Sequence, residues 1–307
     1  MNKKDEKLHT MEKRGIDGIK HYKAILFLIV SALLFALNII FNKIGLMEGV
    51  EPLTFASLRP PIIILTLFLV SQTKIRSELN FLSPYLKYLV LLGVIGYGLG
   101  PIALFFGQQF TTAVNAGFLL QTQPVFVVIL AAILFGDKIG KGDVLSILML
   151  IIGAYLIMTD GTQLIPRFSD ILIVFTALFY GIEATIAKIP MRKISPVTTV
   201  MFGYIFGGLL IFIVWSFTSR NLPLMEQFIW IVLSSLCIGF SMVFYYEGIR
   251  SLGAGYSTVL LSLLSVLFTV ILSFVLLGEM LTDIQIFGAM ILMVGVALLA
   301  KHGTVNA

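Results

Sequence analysis

The sequence predicts an all-α integral membrane protein, ten transmembrane helices arranged as two five-helix repeats of inverted topology. Three observations carry that prediction. First, 58% of the 307 residues are hydrophobic and 12% are charged, with a mean hydropathy of +1.02, whereas a soluble domain carries about 25% charged residues. Second, the apolar residues fall into ten runs close to the ~20 residues that a helix needs to cross a bilayer. Third, the second half of the chain repeats landmarks of the first at a nearly fixed offset. Ten crossings leave only a tail and tight loops outside the bilayer, with no room for a soluble catalytic domain.

The runs lie at about 24–42, 54–71, 86–107, 113–135 and 143–159 in the first half, and 169–188, 197–217, 227–247, 255–277 and 284–300 in the second. Charge, Gly and Pro punctuate them. Four segments follow: a charged tail over 1–23, a first unit over 24–160, a second over 169–300, and a C-terminal tail over 301–307. The start is not a signal peptide, because the run after Lys23 ends in Asn42-Lys43 without a small-residue cleavage site.

Ten crossings place successive loops on alternating sides. One side then receives Lys3, Lys4, Lys7, Lys13, Arg14, Lys20, Lys23, Lys74, Arg76, Lys87, Lys138, Lys141, Lys188, Arg192, Lys193, Arg250 and Lys301. The other receives only Lys43, Arg167 and Arg220. Cytoplasmic loops carry the excess of Lys and Arg, so both termini are expected in the cytoplasm and the protein in the cytoplasmic membrane as a multi-pass chain. The net charge of +5 is therefore topology rather than a nucleic-acid surface. A single cysteine, Cys237, excludes an intrachain disulfide. His9, His21 and His302 all fall outside the apolar runs, so no metal or other cofactor is expected.

The repeat is read from register. The stretch from Pro124 to Gly136-Asp137 lies over that from Val266 to Gly278-Glu279, and Gly153 falls on Gly295. Near the other end, Phe35-Ala36-Leu37-Asn38 with Lys43 lies over Tyr180-Gly181-Ile182-Glu183 with Lys188, and Pro52 comes close to Pro196. A unit of five crossings is odd, so the second copy must enter the membrane upside down, a pattern characteristic of secondary transporters.

Over residues 24–300 these landmarks resemble the ten-helix, EamA-type branch of the drug/metabolite transporter superfamily. The resemblance is carried by Gly136-Asp137 and Gly278-Glu279 with the apolar stretches before them, Gly153 and Gly295, the segments at Ala113 and Ala254, and Arg59 early in the second helix. The sequence departs from the family pattern in having Asp137 where Glu is usual and Val266 where the second repeat has proline. The resemblance implies a carrier exporting or importing small metabolites, amino acids or related compounds among them, with a central cavity lined by helices one to four and six to nine. Helices five and ten would then be peripheral. Its partners would be a small-molecule substrate and the lipid bilayer; protons and a second copy in a homodimer are compatible with it.

Polar residues deep in the spans are the candidate substrate site. Glu183 is a carboxylate well inside an apolar run, where a charge is costly unless it meets water, a partner or a proton. It is assigned as the coupling residue, carrying a proton or opposing a substrate amine; a structural pair with Lys188 is the bland alternative. Its repeat mate Asn38 either lines the same cavity or links two helices. Arg59 either holds a substrate carboxylate, onto which a guanidinium forks, or reaches the interface or Glu51. In the fourth helix Gln121 and Gln123 precede Pro124, whose missing N–H frees a carbonyl. In the third, Gly93, Gly96, Gly98, Gly100 and Pro101 predict a bend around Tyr97, the glycines serving close packing. Tyr180 and Tyr245 complete the set as aromatic lining, with Phe105, Phe106 and Tyr246 as further candidates. Glu247 is expected to pair with Arg250.

The site residues support a carrier working by alternating access rather than an enzyme: no catalytic residue is assigned, because Glu183 has no second deep carboxylate and no metal or nucleophile motif accompanies it. A receptor or scaffold without transport activity is the alternative, but it has no use for polar groups at membrane depth. A nucleotide-driven pump would require a phosphate-binding Gly-Lys-Ser/Thr loop that the chain lacks, so a gradient, with export as the expected direction, supplies the energy.

Overall fold

The structure, a computed structural model, describes residues 3–160, 165–218 and 221–303. Arg220 and the last residues of the C-terminal tail, 304–307, lie outside the described residues. Ten helices follow one another: α1 (Lys3–Met47), α2 (Pro52–Glu78), α3 (Ser83–Phe110), α4 (Ala113–Phe135), α5 (Lys141–Thr159), α6 (Phe168–Ala187), α7 (Pro196–Thr218), α8 (Met225–Leu252), α9 (Ala254–Leu277) and α10 (Asp283–Gly303). Among the described residues, nine are long and apolar enough to cross a membrane; the apolar part of the tenth, Asp283–Leu299, is shorter. The described residues contain no strand. α1 begins at Lys3, ahead of its apolar part, which starts at Tyr22.

The helices pack as two matching sets. α1 lies along α8 and α9, and its counterpart α6 lies along α3 and α4. α2 packs on α7, α5 on α10 and α4 on α9, while α2 with α8 has its match in α7 with α3. Each of these contacts between the repeats thus has a mate under exchange of the repeats. The two repeats also run in opposite senses. Near the end of α1, Lys43 Nζ donates to the carbonyl of Thr111 at 2.7 Å, where α3 has just ended. The Thr111 hydroxyl in turn donates to Asp170, in the first turn of α6. The last turn of α1 and the first of α6 therefore share one end of the bundle, called here the far end, opposite the one bearing the termini.

Local chemistry explains two irregular helices. Pro101 has no N–H to offer the Tyr97 carbonyl, and glycines crowd the preceding turn, so α3 widens into a π-helical turn over Gly93–Leu99. This is the bend expected around Tyr97. In α4, Pro124 leaves the Leu120 carbonyl without its helical donor. The helix breaks between Leu120 and Gln123 and restarts, with Thr122 N–H reaching only as far back as the Leu119 carbonyl at 3.0 Å.

α5 and α10 form one flank, apart from the polar centre. A Cβ on Gly153 would stand 2.6 Å from the Gly288 carbonyl oxygen and 2.7 Å from Leu292. Small residues set this close approach, as is usual where helices associate in lipid.

Candidate functional site

The middle of the bundle gathers polar side chains from six helices. α1 supplies Asn38, α2 Arg59, α3 Tyr97, α6 Tyr180 and Glu183, α7 Tyr204, and α8 Tyr246. The glycine face of α3 makes room for them. A Cβ on Gly96 would fall 2.3 Å from that of Glu183, and one on Gly100 would fall 2.8 Å from the Tyr180 ring. The glycines do serve close packing, and what they pack against is the site.

Two polar clusters form there. In the first, Arg59 donates to the Asn38 side-chain oxygen, and its guanidinium stands 5.2 Å from the centre of the Phe105 ring, which stacks on Phe55 at 4.7 Å. Arg59 is 7% exposed, so it does not snorkel to the interface, and among the described residues it forms no ion pair with Glu51. In the second, the Tyr97 hydroxyl donates to Glu183 at 3.1 Å, and the Tyr97 ring lies 4.5 Å from that of Tyr204. Glu183 has no ionic partner among the described residues. Lys188, its conjectured pair, is exposed and sits 6.0 Å from the Phe135 ring instead. Tyr97 and Tyr204 are buried, while Glu183 and Tyr180 keep partial accessibility.

Tyr180 and Tyr204 lie within electrostatic range of both Arg59 and Glu183, and Tyr246 lies within range of Glu183 and Tyr97.

Three of the sequence-selected residues stand elsewhere. Gln121 reaches Ser265 of α9 at 3.5 Å, and Gln123 donates to the Tyr180 carbonyl at 3.3 Å. Both are at the break in α4 and link it to its neighbours, Gln123 holding the backbone of a site residue. Tyr245 bonds to Thr258 at 2.7 Å between α8 and α9; the adjacent Tyr246 faces the centre in its place. Glu247 pairs with Arg250 at 3.8 Å on the surface, as expected.

The far end is closed by polar contacts. Glu279, after α9, accepts from the backbone N–H groups of Ala113 and Val114 at 2.9 and 3.1 Å, capping the start of α4, and from Ser273. Its repeat mate Asp137, at the opposite end, is exposed and makes no such contact among the described residues. Beside the far-end closure, Thr112, Asn115, Asp160, Arg167 and Gln285 line a separate cleft of about 140 Å³. That holds only a few waters.

Sequence reasoning missed Tyr204, Asp170 and Asn115. Tyr204 follows Gly203 in a run that reads only as a packing motif. Asp170 sits two residues into α6, where a carboxylate reads as a helix-start residue, yet it is fully buried. Among the described residues, no group of three or more Cys, His, Asp or Glu side chains is placed to hold a metal.

Comparison with known proteins decides the family. The profile of the EamA-like transporter family matches residues 22–159 and again 167–301. The chain belongs to the EamA-like transporter family. Its two matched segments are the two five-helix units, so this family member is a membrane transporter built from two repeats, in a lipid environment and with a small-molecule substrate. It is similar to an uncharacterized transporter of Methanothermobacter thermautotrophicus, 26% identical over 90% of this chain and 85% of the relative. It is likewise similar to one from Archaeoglobus fulgidus, 28% identical over 94% and 89%. A solved crystal structure 14% identical in sequence superposes with a TM-score of 0.59, covering 94% of this chain and 98% of that one, a likeness of fold.

Proposed function

We propose that this EamA-like transporter is a secondary carrier that exports small metabolites across the cytoplasmic membrane by alternating access, with both termini cytoplasmic and Glu183 as the proton-coupling group. The observation that carries the reading is Glu183 itself: a carboxylate deep among helices, hydrogen-bonded to Tyr97 at 3.1 Å and without an ionic partner among the described residues. A charge so placed is costly unless it exchanges protons or meets a ligand. The packing supports the rest. Two repeats of opposite sense face each other across this centre, the arrangement in which one unit rocks against the other around a midplane site. The Glu279 cap ties the end of α9 to the start of α4 at the far end, the outer one if the distribution of Lys and Arg sets the orientation. Asn38, Arg59, Tyr97, Tyr180 and Glu183 are the substrate-lining set, with Gln121 and Gln123 holding the broken helix that borders it.

The test is transport of a metabolite panel by protein reconstituted in vesicles, with and without an imposed proton gradient, comparing wild type with Glu183→Gln. The expected result is saturable movement driven by the gradient, with the gradient response lost in a well-folded variant. Equal movement at every gradient by both proteins overturns the coupling role of Glu183.

A further inference from the structure

At the far end, the corner between α3 and α4 is held by two opposite charges. Lys43 donates to the carbonyls of Gln108 and Thr111 at 3.0 and 2.7 Å, where α3 ends. Glu279 accepts from the Ala113 and Val114 N–H groups, where α4 begins. A cation on the carbonyl end of one helix and an anion on the N–H end of the next is what the two helix dipoles favour. A third contact stands beside them, the Gln285 side chain donating to Asn115 at 3.2 Å.

The end bearing the termini has the parts of the same device, unassembled. The register that lays Glu279 over Asp137 also lays Gln285 over Asp143 and Asn115 over Ser257, and Lys43 lies over Lys188. The packing bears out this register: Gln285 accepts from the Thr282 N–H at 3.1 Å at the start of α10, and Asp143 accepts from the Gly140 N–H at 2.8 Å at the start of α5. Asp137 and Lys188, however, are exposed. The corner between α8 and α9 has Gly253 as its N-cap, so no cap side chain covers the first N–H groups of α9. Ser257 is fully buried, and its hydroxyl has no partner among the described residues. A buried hydroxyl of that kind is costly unless another conformation supplies its acceptor.

We propose that the corner between α8 and α9 is the gate of the end bearing the termini. It shuts when Asp137 caps the first N–H groups of α9, Lys188 takes the last carbonyls of α8 and Ser257 donates to Asp143, as Glu279, Lys43 and Gln285 let go at the far end. The inference rests on the carrier reading above and names contacts that distinguish its two states. Each contact made at one end replaces a chemically similar one at the other, so the two states lie close in free energy, as exchange between them requires.

The experiment measures spin-label distances on the full chain in nanodiscs, with Cys237→Ser removing the native thiol. One pair of labels, on cysteines replacing Gln109 and Met280, spans the far end. The other, replacing Ser251 and Lys138, spans the opposite end at the mated positions; all four side chains are exposed. Glu279→Gln should raise the population with the far pair apart and the other pair close by roughly 5–10-fold, the loss of one charged cap. Adding Asp137→Asn should return the balance toward wild type. Asp137→Asn with Lys188→Gln, both at exposed positions, should hold the far pair close and slow metabolite exchange at least ~10-fold. A Glu279 cap that only steadies the fold would lower the melting temperature and leave the opposite pair unmoved, which overturns the gate. Should Glu279→Gln fail to fold, the Asp137→Asn, Lys188→Gln variant decides alone. Two-state exchange that this variant does not alter, or a far end that opens without the other end closing, also overturns the gate and leaves the carrier standing. A single distance for each pair in every variant overturns the gate, and if wild type moves no member of the metabolite panel, the carrier falls with it.

Discussion

In the first repeat the polar group of the leading helix is Asn38, and its donor is Arg59 from the next helix of the same repeat. In the second repeat the equivalent position is Glu183, and its donor is Tyr97, reached across from α3 of the other repeat. The register that lays Pro52 over Pro196 also lays Arg59 over Gly203. A Cβ on Gly203 would stand 2.4 Å from the Tyr97 ring, so the side chain missing from α7 is the space that Tyr97 fills. The frame is the same twice over, helix against helix. The filling differs where the repeats meet, giving one half a cation held by an amide and the other an anion held by a phenol. In the proposed carrier, a symmetric frame would let the two halves exchange roles during rocking, and the asymmetric centre would give that motion something to bind.

The sharpest way to break this comparison is Gly203→Ala. The added methyl overlaps the Tyr97 ring and should cost about 1–3 kcal/mol of stability by overpacking, displacing Tyr97 from Glu183 and abolishing transport. An unchanged melting temperature with normal transport would show that Tyr97 does not depend on the gap. A smaller effect is expected from Asn38→Asp, which makes the two halves alike by giving Arg59 a carboxylate of its own. The fold should be retained, and transport should fall by roughly 10-fold because the guanidinium is already neutralised; wild-type rates in vesicles would instead mean that Arg59 takes no part in binding. The smallest concerns the two ends. Glu279→Gln loses a charged cap on α4 worth about 1 kcal/mol, whereas Asp137→Asn, which caps nothing, should stay within about 0.5 kcal/mol of wild type. Equal shifts in thermal denaturation would erase the difference between the ends.

How much of this was legible beforehand depended on the kind of signal. An irregular turn in α3 and a freed carbonyl in α4 were legible because Pro101 and Pro124 remove a donor wherever they stand, whatever surrounds them; that the first takes a π-helical form and the second breaks the helix was not. Glu183 and Asn38 stood out because charge and amide are conspicuous in an apolar run. Tyr246 rather than Tyr245 at the centre was not legible: adjacent residues on one helix differ by about 100° in direction, and only the packing of α8 on α1 and α2 says which of them faces inward. Tyr204 was hidden in the same way, next to a glycine whose purpose lies in a ring from another helix.

By itself the sequence determined the ten apolar spans, the duplication, the family and the residues that carry charge at membrane depth, since these follow from composition, period and register along one chain. Only the tertiary structure decided that Arg59 meets Asn38, that Glu183 meets Tyr97 rather than Lys188, and that Glu279 caps α4 while Asp137 makes no such contact among the described residues. Those pairings join residues far apart in sequence, and in a bilayer they are set by which helix faces can approach closely enough, here at Gly96, Gly100 and Gly203, for side chains to touch.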